Sequence, residues 1–498
     1  MVTEEGLTRR TVRGAAWTWG GALVVAVLQV AYMAAISRLL PPSDFGLMAA
    51  AVVGVRFVTY LSRFGLAPAL IQRPAIDRRV VSTAWWTALA VACVAGGLTL
   101  LVAPAVAAIV RTPQAAPVLR WMSVAVVAGA LGLIPDALIR REFRFRAAAI
   151  IQVVSYVVGL AGVGLFGAWQ GWGVWSLVAA YTGQAVVLLV LSSVVAGRWP
   201  RLEFDRSASA SMLRFGGTVS LTGFIDFLSA NVDTLAVGRY AGPSALGQYY
   251  RASLLVALPT EQASTSIVRV LLPGLSRVQF DRDRFARAVV SAVGVQALVV
   301  TVPAAVLAAS AELVVPLLLG PGWGLAASVL PILALGVVSA LLTVVLAVAA
   351  ESKGAVVLRL AVQSTALATT VVLIGVVVAT GPSVLRLAGA WGVGELVRLT
   401  LYVVVVAAAI DVDRLVIASR YAIAVLLASC AAGPVWLAVH QLGTGWPGVI
   451  LAGLVGLGLV GVVWMSPLVG PLRSDVGDIV RRVRTGAAGP GSGPVEMM

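Results

Sequence analysis

Charge is scarce in this sequence. Only 11% of its 498 residues are Asp, Glu, Lys or Arg, against about a quarter in a soluble domain, which excludes an ordinary water-soluble globule. Cysteine occurs twice, at Cys93 and Cys430, both within apolar runs, so there is no disulfide framework and no thiolate spacing for a metal. Histidine occurs once, at His440. Imidazole metal sites and Ser-His triads therefore have little to work with, and the Gly443-Thr444-Gly445-Trp446 that follows suits an interfacial loop. A Walker motif is missing, so the chain is not expected to hydrolyse ATP. Hydrolytic and redox motifs are missing as well, and Gly162-Val163-Gly164 lies inside an apolar run, where glycines serve packing. The alternating ten-residue segments of a membrane β-barrel are also lacking.

What the sequence does contain is apolar. Sixty per cent of residues are hydrophobic and the mean hydropathy is +0.99. The charges cluster between runs long enough to cross a bilayer, about 20 residues each. These runs are 14–37, 46–66, 84–109, 117–139, 147–168, 172–196, 215–237, 247–272, 288–310, 325–349, 356–379, 387–410, 415–438 and 447–466. The fold class is thus an all-α membrane protein with fourteen transmembrane helices. Arg9, Arg10 and Arg13 precede a first run too long for a cleavable signal, so that span is expected to stay as an anchor.

Arginine sets the orientation. Loops after even-numbered spans hold groups such as Arg73, Arg78 and Arg79, or Arg140, Arg141, Arg144 and Arg146. Loops after odd-numbered spans hold little beyond Arg38, Arg111, Arg239 and Arg386. By the positive-inside rule both termini are cytoplasmic. The net charge of +15 belongs to this pattern. No basic stripe with interleaved aromatics suggests nucleic acid. Tryptophans near span ends, Trp17, Trp85, Trp86, Trp121, Trp172 and Trp446, read as interface anchors.

An internal repeat organises the chain. Ser37-Arg38-Leu39-Leu40-Pro41-Pro42-Ser43-Asp44-Phe45-Gly46 is echoed by Gly238-Arg239-Tyr240-Ala241-Gly242-Pro243-Ser244-Ala245-Leu246-Gly247. Arg38, Pro42, Ser43 and Gly46 meet Arg239, Pro243, Ser244 and Gly247 at one offset of 201 residues. A second landmark, Ala115-Ala116-Pro117-Val118-Leu119 against Ala326-Ala327-Ser328-Val329-Leu330, repeats at an offset of 211. Six spans per copy is an even number, so two six-helix lobes stand in pseudo-twofold relation about the membrane normal, plus two extra C-terminal helices. The boundaries follow: 1–196 is the N-terminal lobe, 197–213 a cytoplasmic inter-lobe linker, 214–410 the C-terminal lobe, 411–466 the extra helices and 467–498 a cytoplasmic tail with a disordered end. Both repeat turns are expected outside, as corners of the outer mouth.

The candidate site comes from cost. A charge at the centre of a membrane helix costs about 2.5–3.5 kcal/mol on the insertion scale. Spans two, seven and eight carry Arg56, Asp226, Asp233, Arg251, Glu261 and Arg269, with Arg63 at an edge. They must face a wet cavity or one another. Arg56 and Arg63 share a face, as do Asp226, Ser229 and Asp233, and Glu261, Thr265 and Arg269. Arg359 and Gln363 in span eleven are weaker candidates. Glu395 and Arg398 are placed to pair along one helix. Arg38 and Arg239 read as residues that tie down their turns or touch head groups.

Arg13-Gly14-Ala15-Ala16-Trp17, the Ser37–Gly46 turn, Gly65-Leu66-Ala67-Pro68-Ala69-Leu70-Ile71-Gln72-Arg73 and Arg141-Glu142-Phe143-Arg144-Phe145-Arg146 resemble polysaccharide repeat-unit flippases of the Wzx/WzxC type. The resemblance implies the multidrug/oligosaccharidyl-lipid/polysaccharide (MOP) exporter superfamily, with a V-shaped central cavity and alternating access. It implies a multi-pass plasma-membrane transporter rather than an enzyme. The implied substrate is an undecaprenyl-diphosphate-linked oligosaccharide flipped from inner to outer leaflet, with polysaccharide assembly proteins as candidate partners. Arg56, Arg63, Arg251 and Arg269 would bind the diphosphate or sugar, since guanidinium suits planar contact with phosphate. Asp226, Asp233 and Glu261 would bind sugar hydroxyls or a coupling H+ or Na+; no cofactor or metal is expected. The alternatives are an ion-coupled small-molecule or drug antiporter, and a peptidoglycan-precursor lipid flippase, of the same superfamily.

Overall fold

A computed structural model describes the backbone of residues 4–61, 70, 77–207, 209, 220–440, 446–466, 469, 470 and 473. Side chains are described for these except 4–19, 60, 61, 220–223, 259–274, 276, 277 and 446. Among the described residues all regular structure is helical. The helices are α1 (Glu4–Leu39), α2 (Pro42–Leu61), α3 (Arg78–Ile109), α4 (Ala115–Arg141), α5 (Phe145–Trp169), α6 (Val174–Ala196) and the long α7 (Ser220–Val278). Then come α8 (Arg282–Ala309), the short α9 (Ala311–Leu319), α10 (Gly324–Ser352), α11 (Val356–Ala379), α12 (Val384–Ala409), α13 (Arg414–His440) and α14 (Trp446–Met465).

Twelve of the described helices are long and apolar enough to cross a membrane. The runs read as spans seven and eight are the two arms of α7, which breaks at Gly242 (φ 81°, ψ 176°), a backbone conformation that glycine alone adopts freely. Each of the fourteen runs is thus built on a helix over its described residues. Local signals set several ends. Asp77 accepts the Val80 N–H at 2.7 Å and starts α3, and Asp281 accepts the Arg284 N–H at 3.0 Å and starts α8.

Contacts divide the chain into two units. The first comprises Met1–Ala252, Val315–Ala326 and Ile374–Leu387. Within it α4 lies between α3 and α6, α2 rests on α4, and α5 packs along α6 and α1. Its apolar clusters include Val81, Ala84, Ala88, Ile134 and Leu138 between α3 and α4. Another joins Val25, Tyr156, Leu160 and Ala180 from α1, α5 and α6.

In this unit the two repeat turns meet each other. A Cβ on Gly46 would fall 1.8 Å from the Pro243 carbonyl oxygen, and a Cβ on Gly247 would fall 1.8 Å from that of Pro42. The contact is reciprocal: each glycine sits under the proline of the other copy. The paired arginines behave alike. Arg38 donates to the Leu317 carbonyl at 2.5 Å, in the last turn of α9, and Arg239 to the Ile109 carbonyl at 3.1 Å, at the end of α3. A cation on the last carbonyls of a helix satisfies an orphan acceptor and faces the negative end of its dipole. Arg38 and Arg239 thus tie the turns down, one of the two roles read for them.

The second unit comprises Ser253–Val314, Ala327–Leu373 and Ala388–Met498. Here α13 packs against α8 and α14. α10 is interrupted at Thr343, and the two carbonyls before the break are satisfied by side chains: Leu341 by Gln296 and Leu342 by Tyr421, both at 2.8 Å. Lys353, the sole lysine of the sequence, lies 4.7 Å over the Phe285 ring and donates to the Ile410 carbonyl at 3.0 Å. Glu395 and Arg398 form the expected ion pair, both nearly buried.

Candidate substrate-binding site

Two buried charges occupy the two arms of α7 in the first unit. Asp233, 5% exposed, lies before the Gly242 break and Arg251, 7% exposed, beyond it. They are not paired with one another. Asp233 Oδ2 accepts the Tyr249 hydroxyl at 2.5 Å, and Tyr249 is fully buried. This bond ties one arm of α7 to the other across the break.

Arg251 is held by aromatics. Its guanidinium sits 4.0 Å from the centre of the Phe45 ring, a cation–π contact. Tyr181, Tyr32, Tyr250 and Tyr156 lie within electrostatic range of its charge. Tyr32 and Tyr156 meet edge to face with centroids 6.3 Å apart. Neither Arg251 Nε nor the Tyr32 hydroxyl has a hydrogen-bond partner, although both atoms are buried. A buried donor without a partner costs about 1–3 kcal/mol. Two of them in one cluster give it unspent capacity for an anionic, oxygen-rich ligand.

Local structure builds this cluster. Phe45 belongs to the first repeat turn and packs at a tilt on Trp323, ring centroids 5.4 Å apart; the Trp323 indole N–H donates to the Ser37 carbonyl at 3.3 Å. The turn is therefore a wall of the site as well as a corner of the fold. Tyr156 lies in a π-helical stretch of α5, Ser155–Gly162, where an extra residue per turn re-aims side chains. Just beyond it, a Cβ at Gly164 would come within 2.4 Å of the Tyr32 hydroxyl, so the missing side chain gives that hydroxyl its place.

The other sequence candidates fall as follows. Arg56 of α2 is exposed, and Tyr181, itself 37% exposed, lies within electrostatic range of both Arg56 and Arg251. Phe57 beside it packs on Phe224 and Phe227 at 6.1 and 5.5 Å. Asp226 is half-buried on the same arm as Asp233. Arg63 lies outside the described residues, as do the side chains of Glu261 and Arg269. Arg359 pairs with Glu351, and Gln363 is buried; both belong to the second unit. The structure thus holds Asp233 and Arg251 buried on the two arms of α7, each against an aromatic side chain, and leaves Arg56 exposed on α2.

Sequence reasoning missed the aromatic cage. Of nine tyrosines in the chain, Tyr32, Tyr156, Tyr181 and Tyr250 lie within electrostatic range of Arg251 and Tyr249 binds Asp233. The available signal was that a tyrosine in an apolar span needs a partner for its hydroxyl.

Comparison with known proteins gives a consistent result. The profile of the family described as "Polysaccharide biosynthesis protein" matches residues 35–328. The lipopolysaccharide biosynthesis protein WzxC of Escherichia coli is 24% identical over 290 residues, 56% of this chain and 57% of the relative. The succinoglycan biosynthesis transport protein ExoT of Rhizobium meliloti is 28% identical over 301 residues, 60% of each chain. The chain is thus aligned with somewhat over half the length of these relatives. Among solved structures, the lipid II flippase MurJ in an inward closed conformation superposes with a TM-score of 0.71 at 11% identity, over 91% of this chain and 98% of that one. At such identity the likeness concerns the fold.

Proposed function

Because this chain belongs to the polysaccharide biosynthesis protein family, we propose that it flips undecaprenyl-diphosphate-linked oligosaccharide repeat units across the plasma membrane. The direction is from inner to outer leaflet, by alternating access, in the assembly of a surface polysaccharide. The names of its relatives, lipopolysaccharide biosynthesis and succinoglycan biosynthesis transport, support the substrate class. The observation that carries the reading is Arg251: a buried guanidinium against the Phe45 ring, with four tyrosines in electrostatic range and Nε unpartnered.

A diphosphate is the group such a cage suits. Guanidinium offers phosphate two parallel N–H donors, and the tyrosine hydroxyls add neutral donors that do not bind the anion too tightly to release. Aromatic faces receive sugar rings. Arg56, exposed on α2, is the first contact for an entering head group, with Arg63 and Arg269 as further cationic candidates. Asp233 is the site of the coupling ion in this proposal, since Tyr249 already holds its carboxylate between the two arms of α7. Asp226 and Glu261 are the remaining carboxylate candidates. The N- and C-termini lie in the cytoplasm, and polysaccharide assembly proteins receive the product.

The test is a deletion strain in which lipid-linked repeat units accumulate on the inner leaflet and surface polysaccharide is lost. The wild-type gene restores export. An Arg56→Ala/Arg251→Ala variant, present in the membrane at wild-type amount, does not. Normal export by that double variant overturns the assignment, and loss of viability with intact polysaccharide would point to a peptidoglycan precursor instead.

A further inference from the structure

The chain after α6 is fastened in an unusual way. Residues 197–205 have no helix, yet their backbone is fixed along the first turns of α3. Arg201 N donates to Ser82 Oγ and Asp205 N to Thr83 Oγ1, both at 3.0 Å. Trp86 Nε1 donates to the Arg201 carbonyl at 2.7 Å, and Thr87 Oγ1 to Ser209 Oγ at 2.9 Å. A segment held this firmly could turn its apolar side chains inward. Instead Trp199, Leu202 and Phe204 are 63%, 94% and 48% exposed.

Position explains the choice. α6 ends at Ala196 and α3 begins at Arg78, so the segment lies where two spanning helices leave the apolar layer. Its charges are unevenly placed: Arg198 pairs with Glu142 at 2.9 Å, Glu203 and Asp205 are half-buried with Asp205 accepting from Ser207, and Arg201 and Arg206 are the exposed charges. Exposed Trp, Leu and Phe interleaved with Arg at the end of spanning helices are the marks of a chain lying in the head-group zone. The arginines select anionic lipid, each worth about five-fold in partition near a negatively charged leaflet.

We propose that residues 197–207 form a lipid-contact strap, with Trp199, Leu202 and Phe204 in the head-group and acyl boundary and Arg201 and Arg206 on anionic head groups. The full chain carrying Cys93→Ala and Cys430→Ala takes a spin label at Leu202→Cys, or at Ser207→Cys as a polar reference. It is reconstituted in phosphatidylcholine vesicles with and without phosphatidylglycerol. Collision of the label with oxygen relative to a water-soluble nickel chelate should be several-fold higher at 202 than at 207. The difference should grow with phosphatidylglycerol and lose that dependence in Arg201→Gln/Arg206→Gln. Equal nickel access at the two positions overturns the proposal. So does a label at 202 immobilised and shielded from both reagents, which would mean a protein partner, or a depth indifferent to anionic lipid.

Discussion

Replacing Gly247 with alanine tests the contact between the two repeat turns. The new Cβ would lie 1.8 Å from the Pro42 carbonyl oxygen, 2.8 Å from its carbon and 2.9 Å from the Gly46 nitrogen. Carbon rests against a carbonyl oxygen at about 3.3–3.6 Å, so the turns must part by roughly 1.5 Å. All three neighbours are backbone, and no rotamer change relieves the clash. Overpacking of this kind costs about 1–3 kcal/mol. A parting of that size also takes the Arg38–Leu317 and Arg239–Ile109 contacts, now 2.5 and 3.1 Å, toward or beyond hydrogen-bond range. Thermal unfolding in detergent should therefore show Gly46→Ala and Gly247→Ala each destabilised. The double variant should lose less than the sum, because one separation accommodates both methyl groups. Gly97→Ala is the control: nothing lies within 4 Å of its Cβ, and alanine in a helix is favoured by about 0.5–1 kcal/mol. If Gly247→Ala is as stable as Gly97→Ala, or the two turn variants add in full, the reciprocal contact is not a structural constraint.

Further outcomes follow from other sites. Tyr249→Phe leaves a buried carboxylate short of a donor and should cost about 1–3 kcal/mol in thermal unfolding, with Asp233→Asn recovering part of the loss in the double variant. Phe45→Leu keeps most of the bulk but removes the cation–π contact, worth about 0.5–2 kcal/mol; export should fall while the amount of membrane protein holds. Gly164→Ala pushes the Tyr32 hydroxyl aside and should impair export more than Gly97→Ala does. In the second unit, Lys353→Met gives up the Ile410 carbonyl and the Asp411 carboxylate, 3.8 Å away, and should lower the unfolding temperature, whereas Lys353→Arg should recover most of it.

Sequence reasoning reached the helices because each is written locally, as an apolar run between arginine clusters. It reached Asp233 and Arg251 because a charge in a membrane span is costly wherever it points. The Glu395–Arg398 pair was legible for the same local reason, a spacing of three on one helix. The cage was not legible. Tyr32, Tyr156, Tyr181 and Tyr250 come from α1, α5, α6 and α7, so no spacing along the chain connects them, and tyrosine in a span raises no alarm comparable to a charge. Nor could the sequence show that Gly46 and Gly247 touch. It presented two similar turns about 200 residues apart, and only folding sets one against the other. Phe45 looked like part of a corner for the same reason, since its partner Arg251 lies on another helix.

The repeat also has a history written into its differences. Two like segments that meet through their own matching residues form the self-complementary contact of a symmetric dimer, here joined in one chain. Duplication allows the two copies to diverge where a true dimer cannot. At the offset of 201 residues that relates the turns, Phe45 corresponds to Leu246, Arg251 to Ala50 and Tyr32 to Asp233. One copy of the position carries a tyrosine beside a cation, and the other carries a carboxylate bound to Tyr249. The scaffold thus keeps a symmetric geometry while its chemistry is polarised: where one copy has the neutral Tyr32 and Ala50, the other has the charged Asp233 and Arg251.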